Sequence, residues 1–469
     1  MTIAPRQAPR AGSGPNLGQW SWALFEWARN PYVILITIYV FSPYVSAAVI
    51  GDPIAGQTML SSWHKTAGFI VAVTAPFLGA GADRYGQRKP MLAAVLLVMI
   101  PAIFALWWAA PAGQGGLPVW AVGALITLIG VMFAYTEVLH TSMLPSVAPA
   151  RLLPHVSGLG LALGNAASVL LLIGVLWALA LPGALDASWL PDAPLFGLDP
   201  AQGEPSRVTA PLVAVWFALF SIPIFLFTPD GRAGGLSFIA SAREGLASVA
   251  RTLRKLRDHR NIAVFLLARM LYADGKTAIL IFGGIYAAGV MGWGLLEMCL
   301  FGVLLSFFAV AGGVLGGVLD ARIGPRNAVA IEIGVTLSCL IAMVSMSPDA
   351  MLFVIPVDPA ARVWAGPVFQ TAPELAYMGA STIIAISITA AYASSRTLMA
   401  RLAPAGMEGE LFGLYALSGA ATVWLGPMLV EYFTETFHSQ KAGFAAISIL
   451  LVAGFFLLLF VRPPPAHVD

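Results

Sequence analysis

The stretch Gly79-Ala-Gly-Ala-Asp83-Arg84-Tyr-Gly86-Gln-Arg88-Lys89 has an echo in the second half of the chain, Gly316-Gly-Val-Leu-Asp320-Ala-Arg322-Ile-Gly324-Pro-Arg326. Each puts an Asp four residues after a Gly, and each joins two long apolar runs. A second pair repeats more tightly: Pro149 to Gly158 and Pro404 to Gly413 share one spacing, and Gly164 and Gly419 each follow six residues later. The chain is therefore an internal duplication. In an apolar chain, repeats of this size are the signature of two bundles that rock about a central site.

The apolar runs set the fold class. The 469 residues are 59% hydrophobic and only 10% charged, with a mean hydropathy of +0.83, whereas soluble domains carry roughly 25% charged residues. A crossing helix needs about 20 mostly apolar residues, because every backbone N–H and C=O must be satisfied inside the segment. Twelve such runs lie near 20–49, 59–82, 90–111, 117–144, 154–181, 208–228, 261–291, 296–319, 326–347, 374–400, 408–435 and 440–462. They predict an all-α membrane protein with twelve transmembrane helices in two pseudo-symmetric six-helix bundles. The expected divisions are a tail 1–18, a bundle 19–228, a linker 229–260, a bundle 261–462 and a tail 463–469.

Charge orients the bundles. Eighteen of the 25 Lys and Arg fall on one side of the spans, three on the other (Arg207, Arg362, Lys441) and four inside them (Arg29, Lys65, Arg269, Lys276). The positive-inside rule then puts both termini in the cytoplasm, in keeping with an even number of crossings. Residues 1–18 show no apolar core ahead of a cleavage site, so the first span is expected to act as the insertion signal. In the linker, Leu246, Val249, Leu253 and Leu256 recur at helical spacing opposite Arg251, Arg254, Lys255 and Arg257, as in an amphipathic helix on the inner leaflet.

Several function classes drop out. A net charge of +2 offers no basic face for nucleic acid. The two cysteines, Cys299 and Cys339, sit in apolar runs and make neither a disulfide scaffold nor a cysteine-rich metal site. No Walker-type glycine loop, zinc spacing or nucleophile elbow is found. The expectation is a non-enzyme without metal or cofactor, acting as a monomer on a small-molecule substrate and protons within a lipid bilayer.

The segment ending in Asp83-Arg84-Tyr-Gly86-Gln-Arg88-Lys89 resembles the loop motif of the major facilitator superfamily, and Asp320 to Arg326 stands where that superfamily repeats it. Other stretches narrow the resemblance: Ser21-Trp-Ala-Leu-Phe-Glu26-Trp-Ala-Arg29-Asn30-Pro31-Tyr32, Leu271-Tyr-Ala-Asp274-Gly275-Lys276 with Gly284-Ile-Tyr286-Ala-Ala-Gly289, and Ser395-Arg396-Thr-Leu-Met399-Ala-Arg401 leading to Glu410-Leu-Phe-Gly413-Leu-Tyr-Ala-Leu-Ser418-Gly419. Together they resemble the autophagy-related vacuolar effluxer family and its bacterial relatives. The resemblance implies the major facilitator fold and secondary transport. It also implies a multi-pass plasma membrane protein, in the inner membrane of a bacterium, with a cytoplasmic gate motif at Gly79, Asp83, Arg84, Gly86, Arg88, Asp320, Arg322 and Arg326. Asp83 is expected to face the start of the eleventh helix.

Buried charge marks the candidate site, because an ionisable group at mid-membrane costs on the order of 3 kcal/mol. Glu26 and Arg29 share a face of the first span, and Asp274 and Lys276 stand at the matching place on the seventh. Gly275 between them would permit local unwinding. Glu137 and His140, three apart on the fourth span, suit proton coupling. The expected substrate-binding set is Glu26, Arg29, Tyr39, Asp274, Lys276 and Tyr286; the expected proton carriers are Asp274 and Glu26, with Glu137 and His140 in reserve. Trp20 and Trp22 read as interfacial anchors, and Glu297, Glu332, Glu374 and Glu431 as helix-end residues. The predicted activity is proton-coupled, alternating-access transport of a small polar solute bearing a carboxylate, received by Arg29 and Lys276. The alternatives are transport of neutral or apolar solutes, in which both bases merely neutralise the acids, and a non-transporting receptor on the same fold.

Overall fold

The computed structural model describes residues 16–149, 152–185, 187–230, 256–404 and 407–462, with isolated positions between 240 and 254. Among them are twelve long helical segments: α1 Leu17–Ile50, α2 Pro53–Tyr85, α3 Lys89–Trp108, α4 Val119–Val147, α5 His155–Ala180, α6 Glu204–Phe227, α7 Arg260–Met291, α8 Leu295–Ile323, α9 Pro325–Val344, α10 Ala372–Leu402, α11 Leu411–Phe437 and α12 Gln440–Leu459. Ten of the twelve are long and apolar enough to cross a membrane by composition alone. Of the expected linker helix, Leu246, Val249, Leu253 and Lys255 lie outside the described residues.

Local sequence explains where helices start and stop. Asn16 and Gln19 form a capping box at the head of α1. Gly51 ends that helix in the left-handed region, and Asp52 then caps α2 by accepting from Ala55 N at 2.6 Å. Within α1 the backbone widens into π turns at Tyr32–Tyr39 and Val45–Ile50, each starting one or two residues after a proline, Pro31 and Pro43. A proline cannot donate the α-type bond and crowds the preceding turn, and a wider turn relieves both. Helix α11 is broken: Glu408–Ala421 and Leu425–Phe437 are separate helices joined at 422–424.

Two six-helix bundles result. In the first, α1 packs on α5 and α6, α2 on α4, and α3 on α4 and α6; in the second, α7 packs on α12 and α11, and α10 on α8 and α9. The ends of α1, α6, α7 and α12 share one face, which we call the terminal face: Thr228 Oγ1 donates to Gly18 O at 3.3 Å, and Asn261 Nδ2 to Arg462 O at 3.1 Å. Among the described residues, the polar bonds that cross between bundles gather at the opposite, far face. Gln57 Nε2 donates to Thr434 Oγ1 (2.7 Å) and to Gln440 O (3.1 Å), and Lys65 Nζ meets Glu431 Oε2 at 2.5 Å. There Gly68 abuts the Trp424 backbone and Gly284 the Ile38 carbonyl. The bundles are thus sealed at the far face. Glu431, expected as an idle helix-end residue, is half of the cross-bundle ion pair.

Candidate functional site

Arg29 is the centre of a charged cluster in the first bundle. Its Nη1 donates to Glu26 Oε1 at 2.9 Å, one turn back on α1, and its Nη2 to Glu137 Oε2 on α4 at 3.1 Å. The Phe133 ring lies beneath the guanidinium, 4.5 Å from its centroid. His140, one turn beyond Glu137, is fully buried and brings Nδ1 within 3.2 Å of Glu26 Oε1. Its other nitrogen, Nε2, is 2.9 Å from the Trp22 carbonyl oxygen, while Trp22 Nε1 donates to the His140 carbonyl at 2.9 Å and the two rings stack at 4.2 Å. Trp22 is therefore buried and not an interfacial anchor; Trp20, 45% exposed, keeps that place.

These contacts constrain the imidazole. A carbonyl only accepts, so His140 Nε2 carries hydrogen and donates to Trp22. Nδ1 then lies 3.2 Å from a carboxylate oxygen of Glu26, close enough for the two groups to share a proton. With that proton, Glu26 and Glu137 are balanced by Arg29 and the His140–Glu26 contact. Without it, the cluster carries one excess negative charge.

The second bundle differs. Asp274 and Lys276 do not pair: residues two apart on an α-helix point in nearly opposite directions, and α7 runs unbroken through Gly275, without the unwinding expected there. Asp274 turns to the break in α11, where its Oδ2 accepts from Gly426 N at 2.9 Å. It caps the far half of that helix from another helix. Lys276 is 1% exposed, with Nζ 3.9 Å from the centre of the Tyr392 ring and 5.3 Å from that of Tyr272. Arg269 donates to Tyr415 O and Ser418 Oγ, both at 2.6 Å, tying α7 to α11. Glu332, expected at a helix end, is buried within α9 and accepts from Ser394 Oγ at 3.0 Å.

Between the bundles lies a cavity of about 220 Å³. Its polar lining includes Asn30, Asn165, Ser168, Ser306, Ser381 and Thr389, its wall includes Val33, Ile38, Ile279, Phe301, Leu305 and Ile388, and Tyr39 and Tyr392 close it. Of the expected binding set, only Tyr39 lines this cavity. Tyr286 instead stacks on Phe444 at 4.6 Å, inside its own bundle. The π turns of α1 change the direction in which Tyr39 points; α7 has none, and the matched tyrosine points elsewhere. Asn30 and Asn165, which touch across α1 and α5, are the functional candidates that charge-based reading passes over.

The family model described as "Vacuole effluxer Atg22 like" matches residues 149–467. The chain belongs to that family. The uncharacterized MFS-type transporter YxiO of Bacillus subtilis (strain 168) is 22% identical over 445 residues, 94% of each chain. Autophagy-related protein 22 of Cryptococcus neoformans var. neoformans serotype D (strain B-3501A) is 24% identical over 266 residues, 52% of this chain and 44% of the relative, so the match spans less than half of the fungal protein. Among solved structures, a D-xylose-proton symporter superposes with a TM-score of 0.63 at 11% identity, covering 96% of this chain and 97% of that one. The nucleoside transporter NupG does so at 0.60 and 13%, covering 95% and 99%. The fold is that of the major facilitator superfamily.

The Atg22-like match begins after α4, so Asp274, Lys276 and Asp320 to Arg326 lie within it, while Glu26, Arg29, Glu137 and His140 lie before it. In the loop motif, Gly86 closes α2 at positive φ, and the Asp230 carboxylate accepts from Arg88 N (3.0 Å) and Lys89 N (3.1 Å), capping α3. The side chains of Asp83 and Arg84 lie outside the described residues. In the echo, Asp320 is buried and Arg322 exposed, and Arg326 Nη2 donates to Leu459 O of α12 at 2.7 Å, within its own bundle.

Proposed function

We propose that this Atg22-like chain is a secondary active transporter that exposes its central cavity alternately to the two faces and couples that exchange to protons at the His140–Glu26 contact. The carrying observation is the pair of His140 contacts, Nε2 2.9 Å from the Trp22 carbonyl oxygen and Nδ1 3.2 Å from Glu26 Oε1, which put an imidazole and a carboxylate close enough to share a proton. Glu137, whose side chain is 59% exposed, is the member through which the proton enters and leaves. Asp274 is not the carrier on this reading, since its carboxylate is committed to Gly426 N. The charge split of the loops supports a plasma-membrane location with the terminal face in the cytoplasm, so on this reading the far-face seal lies on the outer side of the membrane. We take the transporting unit to be the monomer, because one chain supplies both bundles.

The solute is read as uncharged where it meets the cavity wall. Both Nη groups of Arg29 are taken by carboxylates, and Lys276 is shut behind Tyr392. This favours the neutral alternative over a carboxylate-bearing solute. Proteoliposomes enclosing a pH dye, challenged in turn with amino acids, organic acids and neutral amides, test both points. Solute-dependent proton movement is expected from the wild type and is lost in Glu26→Gln and His140→Gln, while solute exchange persists. Undiminished proton movement in both variants would refute the carrier assignment.

A further inference from the structure

Asn30 and Asn165 form an uncharged recognition point within the cavity. Asn30 Nδ2 donates to Ser168 Oγ at 3.0 Å and leans on Asn165 Oδ1 at 3.4 Å. Ser168 Oγ passes its own hydrogen to Gly164 O at 3.0 Å. This chain fixes both amides and leaves two groups without a protein partner among the described residues: the Asn30 carbonyl oxygen, which accepts, and the Asn165 NH2, which donates. Both residues line the cavity. The serine and threonine hydroxyls opposite give their hydrogens to their own helices, Ser306 to Gly302 O, Ser381 to Tyr377 O and Thr389 to Ala385 O, and can offer a solute only acceptor oxygens. The second bundle therefore faces the amides with a largely apolar wall built around Ile279, Phe301, Leu305 and Ile388.

We propose that this amide pair is the head-group subsite for a compact solute with an uncharged head that both donates and accepts, such as a primary amide or a hydroxyl, on an apolar body. The head docks on α1 and α5, and the body lies against α7, α8 and α10, so one bound molecule touches both bundles. A bare carboxylate fits poorly, because it cannot donate to the Asn30 oxygen. A cation fits poorly too, because it cannot accept from the Asn165 NH2. The cavity, at about 220 Å³, is smaller than the roughly 300–1,000 Å³ of sites for drug-sized ligands, which keeps the body short.

The proposal rests on the reading of the cavity as a transport site but not on proton coupling. The test is therefore binding to purified full-length protein with no gradient present. The probes are 4-methylpentanamide, 4-methylpentanoate and acetamide, followed by thermal stabilisation and saturation-transfer NMR. 4-Methylpentanamide should bind more tightly than either of the others, and Asn165→Leu should weaken it roughly tenfold, as expected for a lost hydrogen bond that leaves its partner unpaired. If that variant does not fold, Asn165→Ser gives the same comparison. The proposal is overturned if the carboxylate binds as well as the amide, if the amide does not bind, or if the folded Asn165 variant binds it unchanged. Binding is read with no gradient present and proton movement is read in vesicles, so a failure of the coupling reading and a failure of this one give different results.

Discussion

Arg29 and Lys276 occupy matched places in the two bundles. The spacing that aligns Tyr39 with Tyr286 aligns them too, and the spacing that aligns Pro149 with Pro404 sets Glu137 against Tyr392 and His140 against Ser395. Each base on the first helix of its bundle thus meets the matched position on the fourth. In the first bundle that position is a carboxylate at 3.1 Å, and in the second a tyrosine ring at 3.9 Å. Duplication set where the cation goes and left its partner free to change. Both solutions hold a basic side chain inside the bundle, one against two carboxylates and the other against two aromatic rings, and on the reading proposed above the first is the one suited to coupling.

The largest effect that could break this comparison is on stability. Arg29→Met strands Glu26 without its counter-charge and should cost about 3–5 kcal/mol, whereas Lys276→Met removes ring contacts and an attraction to Glu332 and should cost about 1–2 kcal/mol. Unfolding of both variants in the same detergent measures the gap; equal losses would mean that the bundles are not different in kind. Next in size is Asp274. Asp274→Ala should cost about 1.5–3 kcal/mol through the lost charged cap on α11, while Asp274→Asn, which can still accept from Gly426 N, should cost far less and retain gradient-driven transport. Loss of coupling in the Asn variant would return the carrier to the second bundle. The smallest effect is at the far-face pair. Lys65→Gln or Glu431→Gln should each shift the balance between states by about 1 kcal/mol, and the reversed pair Lys65→Glu with Glu431→Lys should restore it. The readout is labelling of Ala309→Cys from the far face by an impermeant maleimide, in a chain with Cys299 and Cys339 replaced; a reversed pair that labels like the single variants would remove the latch role.

The sequence foretells the scaffold well, since each span is a local property of about 20 residues, and the repeated loops reveal the duplication. Contacts within one turn were also legible: Glu26 with Arg29 follows from helical spacing. Contacts between helices were not. Glu137 reaches Arg29 across 108 positions, Asp274 reaches Gly426 across 152, and Lys65 reaches Glu431 only because the bundles close on one side. Asp274 and Lys276, expected to turn together about an unwound Gly275, point apart because the helix runs on through that glycine and residues two apart on it face opposite ways. Asn30 and Asn165 escaped because a search for buried charge ignores amides, although an Asn beside a proline in the first span was there to be noticed. The α1 π turns, which send Tyr39 and Tyr286 in different directions, follow two prolines that the periodicity of the run conceals.

The glycines of the far-face seam carry one more consequence. Gly284 faces the Ile38 carbonyl, Gly302 the side chains of Tyr39 and Leu172, and Gly68 the Trp424 backbone, so one methyl group would overlap its neighbour at the first two and crowd it at the third. Each such carbon is a steric wedge between the bundles. The seal is therefore set mainly by close-range dispersion between surfaces that fit only while those side chains are absent, a force that mobile ions do not screen as they screen charge. A seam closed in this way loses little of its hold as ionic strength rises, since screening reaches the Lys65–Glu431 pair but not the packed backbone beside it.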